Sequence, residues 1–363
     1  MEIRYKLKTK LQRFQKDNLE YVLKFDSQLS NINIKNDGQD LVVSFDAKCN
    51  EQVKKEEVLQ VIKSYDLPIE FKNKILFINT NLNAKEKSET FFDELIEQKL
   101  IYKEMDGVYI FYGIVNKLYR ALSNFFRKKC LKLGAEEVYI PSLLSKNTLE
   151  KTDYIIKNEK LCNFISHKTD KYGVDGILNP AACQPIYKTV GNINQPKILT
   201  GFARVYRYEG NNYKELSRLR EYGIRELIYI SDDKGVQRFK NKCMKVAKEL
   251  IMRLNLTATI EIASDMFFES DFISKSIFQI ASENKLEIRL KLAQDEYIAG
   301  GSLNVHNEFF SSRWGISYET QNASSFCMGL GIERWCYAVL CQYGYKEEKW
   351  PKELRSLIDY YAR

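Results

Sequence analysis

The sequence is poor in several features that mark particular classes of protein. Its 363 residues include only 6 prolines, 17 glycines and 2 histidines, and none of them forms a low-complexity tract. This composition excludes collagen-like and linker-rich chains. No run of about 18 apolar residues is present, so we expect no membrane-spanning helix and no membrane partner. The first residues also lack the apolar core of a secretory signal peptide.

The cysteine content points to a reducing compartment. Eight cysteines are too few for a disulfide scaffold in a chain of this length, so we expect reduced thiols and a cytoplasmic protein. Hydrophobic residues make up 44% of the chain, which is ample for a packed core and excludes wholesale disorder. At roughly 100–200 residues per domain, the length predicts either two domains or one large domain and a small one.

The net charge of +8 is unevenly distributed along the chain. Residues 1–100 contain 17 Lys+Arg and 17 Asp+Glu, so the remaining residues, with 39 basic and 31 acidic side chains, supply the whole excess. Only the first 16 residues form a basic cluster, with six basic side chains and one acidic. A dedicated nucleic-acid-binding domain usually carries more positive charge than this, so the cluster is typical of a solvated helix face.

The pattern of the first 85 residues predicts a small α+β domain. LEYVLKFD and DLVVSFDAK are typical of strands around the turn-prone NDGQD, EEVLQVIKSYDL predicts a short helix, and KILFINTNL predicts another strand. The polar stretch NAKEKSET predicts a linker. We therefore predict one domain over residues 1–85 and a larger one over residues 86–363.

The larger domain shows hairpins rather than alternating strand–helix–strand units. It opens with a helix that ends at Gly134, followed by a strand that carries Pro141. Two extended segments, KILTGFARVYRYEG and RLREYGIRELIYIS, predict an antiparallel hairpin with a long tip. Further helices are predicted over residues 236–255 and in GLGIERWCYAVLCQYG, which begins with glycines and continues as a helix. This order of elements favours an α+β fold with an antiparallel sheet flanked by helices.

The hairpin carries residue types that suit a nucleotide. Arg207 and Glu209 are two residues apart, so on a strand their side chains lie on the same face. Tyr222 lies on the returning strand, beyond a tip that holds Arg218. A guanidinium can bind a phosphate bidentately, a carboxylate can accept from the adenine amino group, and an aromatic ring can stack on the base. The alternative is a hairpin with surface ion pairs, each of which stabilises little.

The segment GLGIERW predicts a glycine-rich turn into a helix, with Arg334 in its first turn. It is not a Walker A loop, because no Gly-Lys-Ser/Thr follows. It is not a dinucleotide fingerprint either, because Arg334 stands where the third glycine belongs. An arginine at a helix N-terminus strengthens a site that already favours anions. A tight strand-to-helix turn without a ligand is the alternative.

Taken together, these segments resemble the class II aminoacyl-tRNA synthetases over residues 105–345. FARVYRYE and RLREY are similar to the two strands of motif 2, and GLGIERW is similar to motif 3. The helix ending at Gly134 and the strand to Pro141 are similar to motif 1, the dimer-forming element. The resemblance implies a class II synthetase-like fold, a homodimer and ATP-dependent formation of an aminoacyl adenylate.

The resemblance also implies roles for individual residues. Arg207 would bind the α-phosphate, Glu209 the adenine amine, and Tyr222 would stack on the adenine ring. Arg218 and Arg334 would bind the outer phosphates. Arg207 and Arg334 are therefore the expected catalytic residues, because phosphoryl chemistry of this kind depends on positioning and charge stabilisation.

Cys183, Glu226 and Cys327 resemble the zinc ligands of two relatives within this class. These are the atypical seryl-tRNA synthetases of methanogens and the amino acid:[carrier protein] ligases. Two thiolates and a carboxylate leave zinc an open position, which the amino group of a small amino acid can take. Glu226 lies four residues beyond Tyr222 and so on the same strand face. Glu221 is the alternative ligand, although its position places it on the opposite face.

Other polar residues are candidates for substrate contacts. Ser302 and Asn304 resemble the substrate-side strand of the family, and the alternative is that they face solvent. Glu296 is a candidate ligand for Mg²⁺ bound to ATP, with plain surface exposure as the alternative. The histidines, His167 and His306, lie in no triad or metal-binding spacing, and no nucleophile for acyl-enzyme chemistry is visible.

The acceptor of the aminoacyl group has to be inferred from size and charge. Methanogen-type synthetases carry a larger N-terminal domain for tRNA, whereas the predicted N-terminal domain here is small and the first 100 residues carry no net charge. An acidic carrier protein with a phosphopantetheine thiol suits a positively charged catalytic domain. We therefore predict an amino acid:[carrier protein] ligase. The first alternative is a seryl-like synthetase that charges tRNA, and the second is a non-catalytic binding or regulatory protein.

Overall fold

The computed structural model of the chain describes residues 1–67, 74–82, 84, 87–166, 176–264 and 279–362. Within these ranges, no helix combines the length and apolar character needed to cross a lipid bilayer. The chain divides into two compact units. The first comprises Met1–Lys74, Glu209–Tyr213 and Ala263–Ser282, and the second comprises Ile75–Tyr208, Lys214–Ile262 and Glu283–Arg363.

The first unit pairs a small antiparallel sheet with two helices. Its elements are β1 (Glu2–Lys6), α1 (Arg13–Lys24), β2 (Leu29–Asp37), β3 (Asp40–Ala47) and α2 (Glu51–Tyr65). The strands form an antiparallel sheet in the order β1-β3-β2. Leu19, Leu23, Val43, Phe45 and Ile62 are among the residues buried in the core of this unit.

The hairpin around NDGQD is confirmed, but its first strand differs from the prediction. β2 and β3 flank the turn, with Asp37 opposite Asp40. LEYVLKFD, predicted as a strand, instead lies largely in α1. The reason is that Gln15, Leu19 and Leu23 recur every four residues and are buried along one helix face.

The second unit is built on an eight-stranded sheet. The strands are β4 (Ile75–Asn79), β7 (Glu136–Glu137), β11 (Lys197–Tyr206), β12 (Glu221–Ser231), β13 (Ala258–Ile262), β14 (Lys285–Ala293), β15 (Glu296–Asn307) and β18 (Ser324–Gly331). Their order in the sheet is β4-β13-β14-β15-β18-β12-β11-β7, and every pair of neighbours is antiparallel except β7 and β11. The prediction of an α+β fold with an antiparallel sheet and flanking helices is confirmed.

Short strands and helices complete the second unit. Two pairs of short strands form two-stranded sheets: β5 (Ile101–Met105) with β6 (Val108–Phe111), and β16 (Ser317–Tyr318) with β17 (Gln321–Asn322). A three-stranded sheet consists of β8 (Leu143–Leu144), β9 (Phe164–Ile165) and β10 (Gly176–Leu178), with β10 in the middle. The helices are α3 (Phe91–Glu97), α4 (Gly113–Lys132), α5 (Lys146–Glu150), α6 (Tyr154–Asn158), α7 (Gln184–Tyr187), α8 (Asp233–Leu254), α9 (Phe309–Trp314), α10 (Ile332–Tyr343) and α11 (Lys352–Ala362).

Three differences from the predicted elements concern this sheet. Strand β4, predicted for the N-terminal domain, is the edge strand beside β13 in the second unit. The segment LEIRLKLAQDEYIAGGSLNVH, whose composition predicts one extended stretch, instead forms two strands, β14 and β15, joined as a hairpin. The first strand of the long hairpin ends at Tyr206, because the chain turns afterwards and Gly210 adopts a positive φ of +58°.

The centre of the sheet fixes the relative positions of the candidate site residues. β12 and β15 lie on either side of β18. Glu226 on β12 is in register with Gly329 on β18, which in turn is in register with Ser302 on β15. Cys327 on β18 is in register with Asn304 on β15. Helix α10 begins directly after β18, and all its residues except Arg334 are buried.

Candidate functional site

Glu226 lies in the middle of β12, where it is buried. Its neighbours in register on the adjacent strands are Gly201 and Gly329. A Cβ added to Gly329 would lie 2.9 Å from Oε2 of Glu226, so glycine at this position leaves the space that the carboxylate occupies. Burial raises the pKa of Glu226 to about 7, while a hydrogen bond with Cys327 and the charge of Arg207 oppose the rise.

The structure brings Cys183 and Cys327 together with Glu226. Cys327 lies on β18, and Cys183 is the residue that precedes α7. The two sulfur atoms and a carboxylate oxygen of Glu226 all lie within 4.8 Å of one another. Hydrogen bonding with Cys183 and burial raise the pKa of the Cys327 thiol. Glu221, the alternative ligand, instead forms an ion pair with Arg204 at 3.4 Å.

The chemistry of these three donors suits a divalent cation such as zinc. Three groups that carry negative charge when deprotonated lie close together, and two of them are buried. Deprotonated carboxylate and thiolate groups in such a place repel one another unless a cation compensates the charge. Two thiolates and one carboxylate are also a ligand set that leaves zinc a further position. The residues present therefore fit a three-ligand metal site.

Ser302 and Asn304 lie on β15 beside this cluster. Nδ2 of Asn304 donates a hydrogen bond to Oγ of Ser302 at 3.0 Å and lies 3.6 Å from Sγ of Cys327. Both side chains are half-buried. This placement puts them on the face of the sheet that holds the cluster, and their predicted contact with a substrate stays a prediction.

Tyr222 and Arg334 meet further along the same face. Tyr222 is buried on β12, four residues before Glu226. The guanidinium of Arg334, in the first turn of α10, lies 5.4 Å from the centre of the Tyr222 ring. Its NH1 group also donates a hydrogen bond to the carbonyl oxygen of Ala299 at 3.0 Å. A phenol ring and a planar guanidinium are both groups that stack on a purine base.

Arg207 lies just beyond the end of β11 and is held by the backbone. Its Nε donates a hydrogen bond to the carbonyl oxygen of Pro180 at 2.9 Å, and its backbone N–H donates to the carbonyl oxygen of Arg220 at 2.9 Å. Pro180 precedes Cys183 by three residues. These bonds tie the guanidinium to the segment that carries one of the candidate metal ligands.

Glu209 does not lie on a strand with Arg207, so that prediction is wrong. Strand β11 ends at Tyr206, and Glu209 belongs to the segment that groups with the first unit. There its buried carboxylate accepts a hydrogen bond from the hydroxyl of Tyr21 at 2.9 Å. Its assignment to the adenine amine stays a prediction.

The tip of the hairpin is anchored at two points. Lys214 and Arg218 bond to each other through their backbones, and Nζ of Lys214 lies 2.5 Å from Oε1 of Glu296. The neighbouring Glu215 pairs with Lys87 at 2.6 Å and accepts a hydrogen bond from the hydroxyl of Tyr337 at 2.5 Å. Glu296 is thus an ion-pair partner of the tip, and its predicted role with Mg²⁺ stays a prediction.

Sequence reasoning missed His306, which lies next to the cluster. Its Nε2 is 3.3 Å from Sγ of Cys327. The contact lies where the register of β15 against β18 shifts between Val305 and Asn307, so the sequence gives no local signal for it. His167, the other histidine, lies outside the described residues.

Comparison with known proteins finds a family match for the segment that carries most of the candidate site residues. Residues 165–343 match the tRNA synthetase class II core domain family that covers G, H, P, S and T. This segment is thus similar to a class II tRNA synthetase core domain. Two curated relatives extend the match beyond it. A type-2 serine–tRNA ligase from Methanococcus maripaludis is 24% identical over 69% of this chain and 56% of its own length. An amino acid–[acyl-carrier-protein] ligase from Bradyrhizobium diazoefficiens is 27% identical over 73% of this chain and 89% of its own length.

Solved structures show the same fold. The M. kandleri SerRS, crystallised with A. aeolicus tRNASec, superposes with a TM-score of 0.70 at 16% identity, covering 99% of this chain and 77% of that one. A cytoplasmic serine–tRNA ligase from Naegleria fowleri in complex with AMP gives 0.62 at 14% identity, covering 80% of this chain and 76% of its own. The predicted class II synthetase fold is therefore confirmed. The chain spans little more than half the length of the Methanococcus relative.

Proposed function

We propose that the chain activates a small amino acid with ATP as an aminoacyl adenylate and transfers it to the phosphopantetheine thiol of a carrier protein. The observation that carries this proposal is the placement of two groups on one face of the class II core domain. The Cys183–Glu226–Cys327 cluster lies at one point along β12, and the Tyr222–Arg334 pair lies four residues away.

The spacing of these two groups matches an aminoacyl adenylate. Four residues of a strand span roughly 13 Å, which is comparable to an extended adenylate from its amino group to its base. In this arrangement the amino group lies at the cluster, and the adenine stacks on Tyr222, beside Arg334. Arg207 is hydrogen-bonded to Pro180, three residues before Cys183, and so lies near that end, where the α-phosphate must pass. Ser302 and Asn304 line the amino-acid end.

The reaction requires positioning and positive charge rather than an acid–base pair. A carboxylate oxygen of the amino acid attacks the α-phosphorus of ATP, the bond to the bridging oxygen breaks, and pyrophosphate leaves with that electron pair. Arg207 neutralises charge on the α-phosphate, while Arg218, Arg334 and Glu296 with Mg²⁺ hold the outer phosphates. Zinc held by Cys183, Glu226 and Cys327 supplies a Lewis-acid position for the substrate amine. In the second step the acceptor thiolate attacks the carbonyl carbon, and AMP leaves.

The charge distribution and one relative favour a carrier protein as acceptor. The positive excess of the chain lies entirely beyond residue 100, and such a surface suits a small acidic partner. The match to the Bradyrhizobium ligase extends over 89% of that protein. We further propose that the protein works as a cytoplasmic homodimer that pairs through α4 and the strand that follows it.

Transfer to tRNA is the second candidate, and several Methanococcus serine–tRNA ligases among the relatives favour it. The two candidates differ in one assay. Labelled amino acid should move to a holo carrier protein and not to unfractionated tRNA, and an apo carrier without phosphopantetheine should accept none. Transfer to tRNA alone would overturn the carrier-protein proposal.

Adenylate formation has a separate test, ATP–pyrophosphate exchange with each of the twenty amino acids. We expect exchange with one or a few small amino acids such as Gly, Ala, Ser or Thr. Arg207→Gln should reduce the exchange rate by about 100-fold or more, since it removes charge stabilisation in the transition state. Arg253→Gln is the matched control, because Arg253 lies in the last turn of α8 and its ion pair with Glu249 is exposed. No exchange with any amino acid would support a non-catalytic binding protein instead.

A further inference from the structure

We propose that His306 is a positioning residue of the metal centre, and that its Nε2–H group donates a hydrogen bond to Sγ of Cys327 and holds that sulfur as a ligand. This inference rests on the proposed zinc site. It adds a residue that lies outside the three-ligand set and that acts through Cys327.

The distance and the local backbone support this role. Nε2 of His306 lies 3.3 Å from Sγ of Cys327, within reach of an N–H···S hydrogen bond. Between Val305, opposite Phe326, and Asn307, opposite Ser325, the register of β15 against β18 shifts by one residue. His306 is the extra residue of this bulge. Bulges of this kind redirect a side chain, and here the imidazole meets the sulfur of the neighbouring strand.

Two aromatic side chains fix the plane of the imidazole. The ring of His306 lies edge to face with Phe310 at 5.0 Å and with Tyr187 at 6.4 Å between centres. Tyr187 and Phe310 are themselves stacked at 3.8 Å. Tyr187 is fully buried at the end of α7, the helix that Cys183 precedes. The same packing therefore orients His306 and connects it to the segment that carries a second ligand.

The geometry favours a hydrogen-bond donor over a fourth ligand. The described groups that come together closely enough to hold one ion are Cys183, Glu226 and Cys327, and His306 is not in that set. A ring that donates to the sulfur leaves the remaining metal position free for the substrate amine. Donors to a ligating atom fix its orientation and tune its bond to the metal, and their loss typically costs about 10- to 100-fold in metal affinity. Asn304, whose Nδ2 lies 3.6 Å from the same sulfur, is a weaker second donor.

The test compares two substitutions of His306 in the full-length protein. His306→Leu removes the donor, while His306→Gln places an amide N–H near the position of Nε2. Zinc affinity is measured by competition with a chelator, and the cobalt-substituted proteins are compared by their thiolate-to-cobalt absorption band. We expect His306→Leu to weaken zinc binding about 10- to 100-fold and to shift the band. His306→Gln should recover most of the affinity and a band close to that of the wild type.

Three outcomes would overturn the proposal. Unchanged affinity and an unchanged band in His306→Leu would show that the imidazole does not act on Cys327. A His306→Gln protein as weak as His306→Leu would indicate that the imidazole itself binds the metal. In the zinc-loaded wild type, ¹⁵N NMR should show a protonated Nε2; a proton on Nδ1 alone would contradict the proposal even if the variants failed to fold.

The same measurements on Cys183→Ala distinguish a failure of this inference from a failure of the proposed zinc site. If Cys183→Ala binds zinc and cobalt no differently from the wild type, the site itself is wrong and the role of His306 falls with it. If Cys183→Ala abolishes binding while both His306 variants match the wild type, the zinc site stands and only the role of His306 is lost. Cys49→Ser, which changes an exposed cysteine in the first unit, is the matched control for a lost thiol.

Discussion

Gly329 on β18 has no side chain, and this leaves space for the carboxylate of Glu226 on the neighbouring strand β12. A Cβ at this position would lie 2.9 Å from Oε2 of Glu226 and 2.8 Å from Cδ1 of Ile224. We therefore expect Gly329→Ala to displace the carboxylate and to lower zinc affinity at least about tenfold. The measurement is a chelator competition on the purified variant.

Gly331 provides the matched control for this glycine. It lies two residues further along the same strand end, and a Cβ there would meet its nearest atoms at 3.7 and 3.8 Å, which is ordinary contact. Gly331→Ala should therefore bind zinc as the wild type does. Equal affinity in both variants would mean that the space at Gly329 has no part in metal binding.

Glu333 is a buried carboxylate outside the metal cluster. Its titration should change the free energy of unfolding as the pH changes. It accepts hydrogen bonds from the backbone N–H of Gly223 at 2.9 Å and from Arg204 at 3.2 Å. Burial nevertheless raises its pKa from an ordinary value of 4.5 to about 7. Between these values the unfolded chain ionises at this residue while the folded protein keeps its proton. The contribution of Glu333 to stability should therefore fall as the pH rises from about 4.5 to about 7 and stay level above.

Glu333→Gln isolates that contribution because glutamine does not titrate. The free energy of unfolding of the wild type relative to this variant should decline by about 3 kcal/mol between pH 4.5 and pH 8, from the size of the pKa change. Denaturant unfolding at several pH values measures it. Glu104→Gln, at an exposed position of β5, should show no such trend. A difference that is constant with pH would contradict the raised pKa.

At the scale of elements, the hairpin between β11 and β12 depends on a buried ion pair for the position of its tip. The side chain of Lys87 is only 5% exposed and lies 2.6 Å from Glu215, which also accepts from Tyr337. Lys87→Met leaves a largely buried carboxylate without its cation. We expect this change to destabilise the protein by about 3 kcal/mol and to raise the KM for ATP, because the tip also carries Arg218.

The double variant Lys87→Met with Glu215→Gln should recover most of that stability, since no buried charge is then left unpaired. Lys103→Met is the control, because its ion pair with Asp106 is exposed and should contribute less than about 1 kcal/mol. Denaturant unfolding and ATP titrations of all variants test the point. A double variant no more stable than Lys87→Met would show that the loss comes from packing rather than from charge.

Element prediction succeeded where periodicity and turn chemistry agreed. The helix predicted to end at Gly134 is α4, whose buried Leu118, Leu122, Phe125 and Phe126 form the expected apolar face, and Gly134 adopts a positive φ. Prediction failed where a short apolar stretch was compatible with both the two-residue period of a strand and the 3.6-residue period of a helix. LEYVLKFD has the composition of a strand, yet its Leu19 and Leu23 are buried on a helix face that also includes Gln15, which precedes this segment.

The candidate site was predictable in part for a similar reason. Strand parity places Tyr222 and Glu226 on one face and Glu221 on the other, and the structure has this arrangement. Parity fails for Glu209, because the strand ends before it. The contact of His306 with Cys327 depends on a bulge in β15, and a one-residue shift of register between strands distant in sequence leaves no local signal. Cross-strand partners such as Gly329 likewise become visible only when the register is known.

For the whole molecule, the distribution of charge along the chain bears on which acceptor it binds. The +8 belongs to residues 101–363, whereas residues 1–100 are neutral overall. If this charge attracts an acidic carrier protein, docking should weaken with salt, because ions screen charges beyond about 10 Å at 0.1 M and about 3 Å at 1 M. Raising the salt from about 0.05 M to about 0.5 M should increase the KM for the carrier about tenfold. Pyrophosphate exchange should change far less, since its substrates bind inside the site.

A second carrier protein without the acidic side chains distinguishes electrostatic docking from a general effect of salt on the reaction. A carrier whose acidic side chains around the phosphopantetheine attachment site are changed to amides should start with a high KM that salt scarcely alters. The acceptor thiol and the chemistry are the same in both carriers, so the difference isolates electrostatic docking. If both carriers respond alike, the positive excess serves another partner, and transfer to tRNA would then be expected to show the steeper salt dependence of a polyanion.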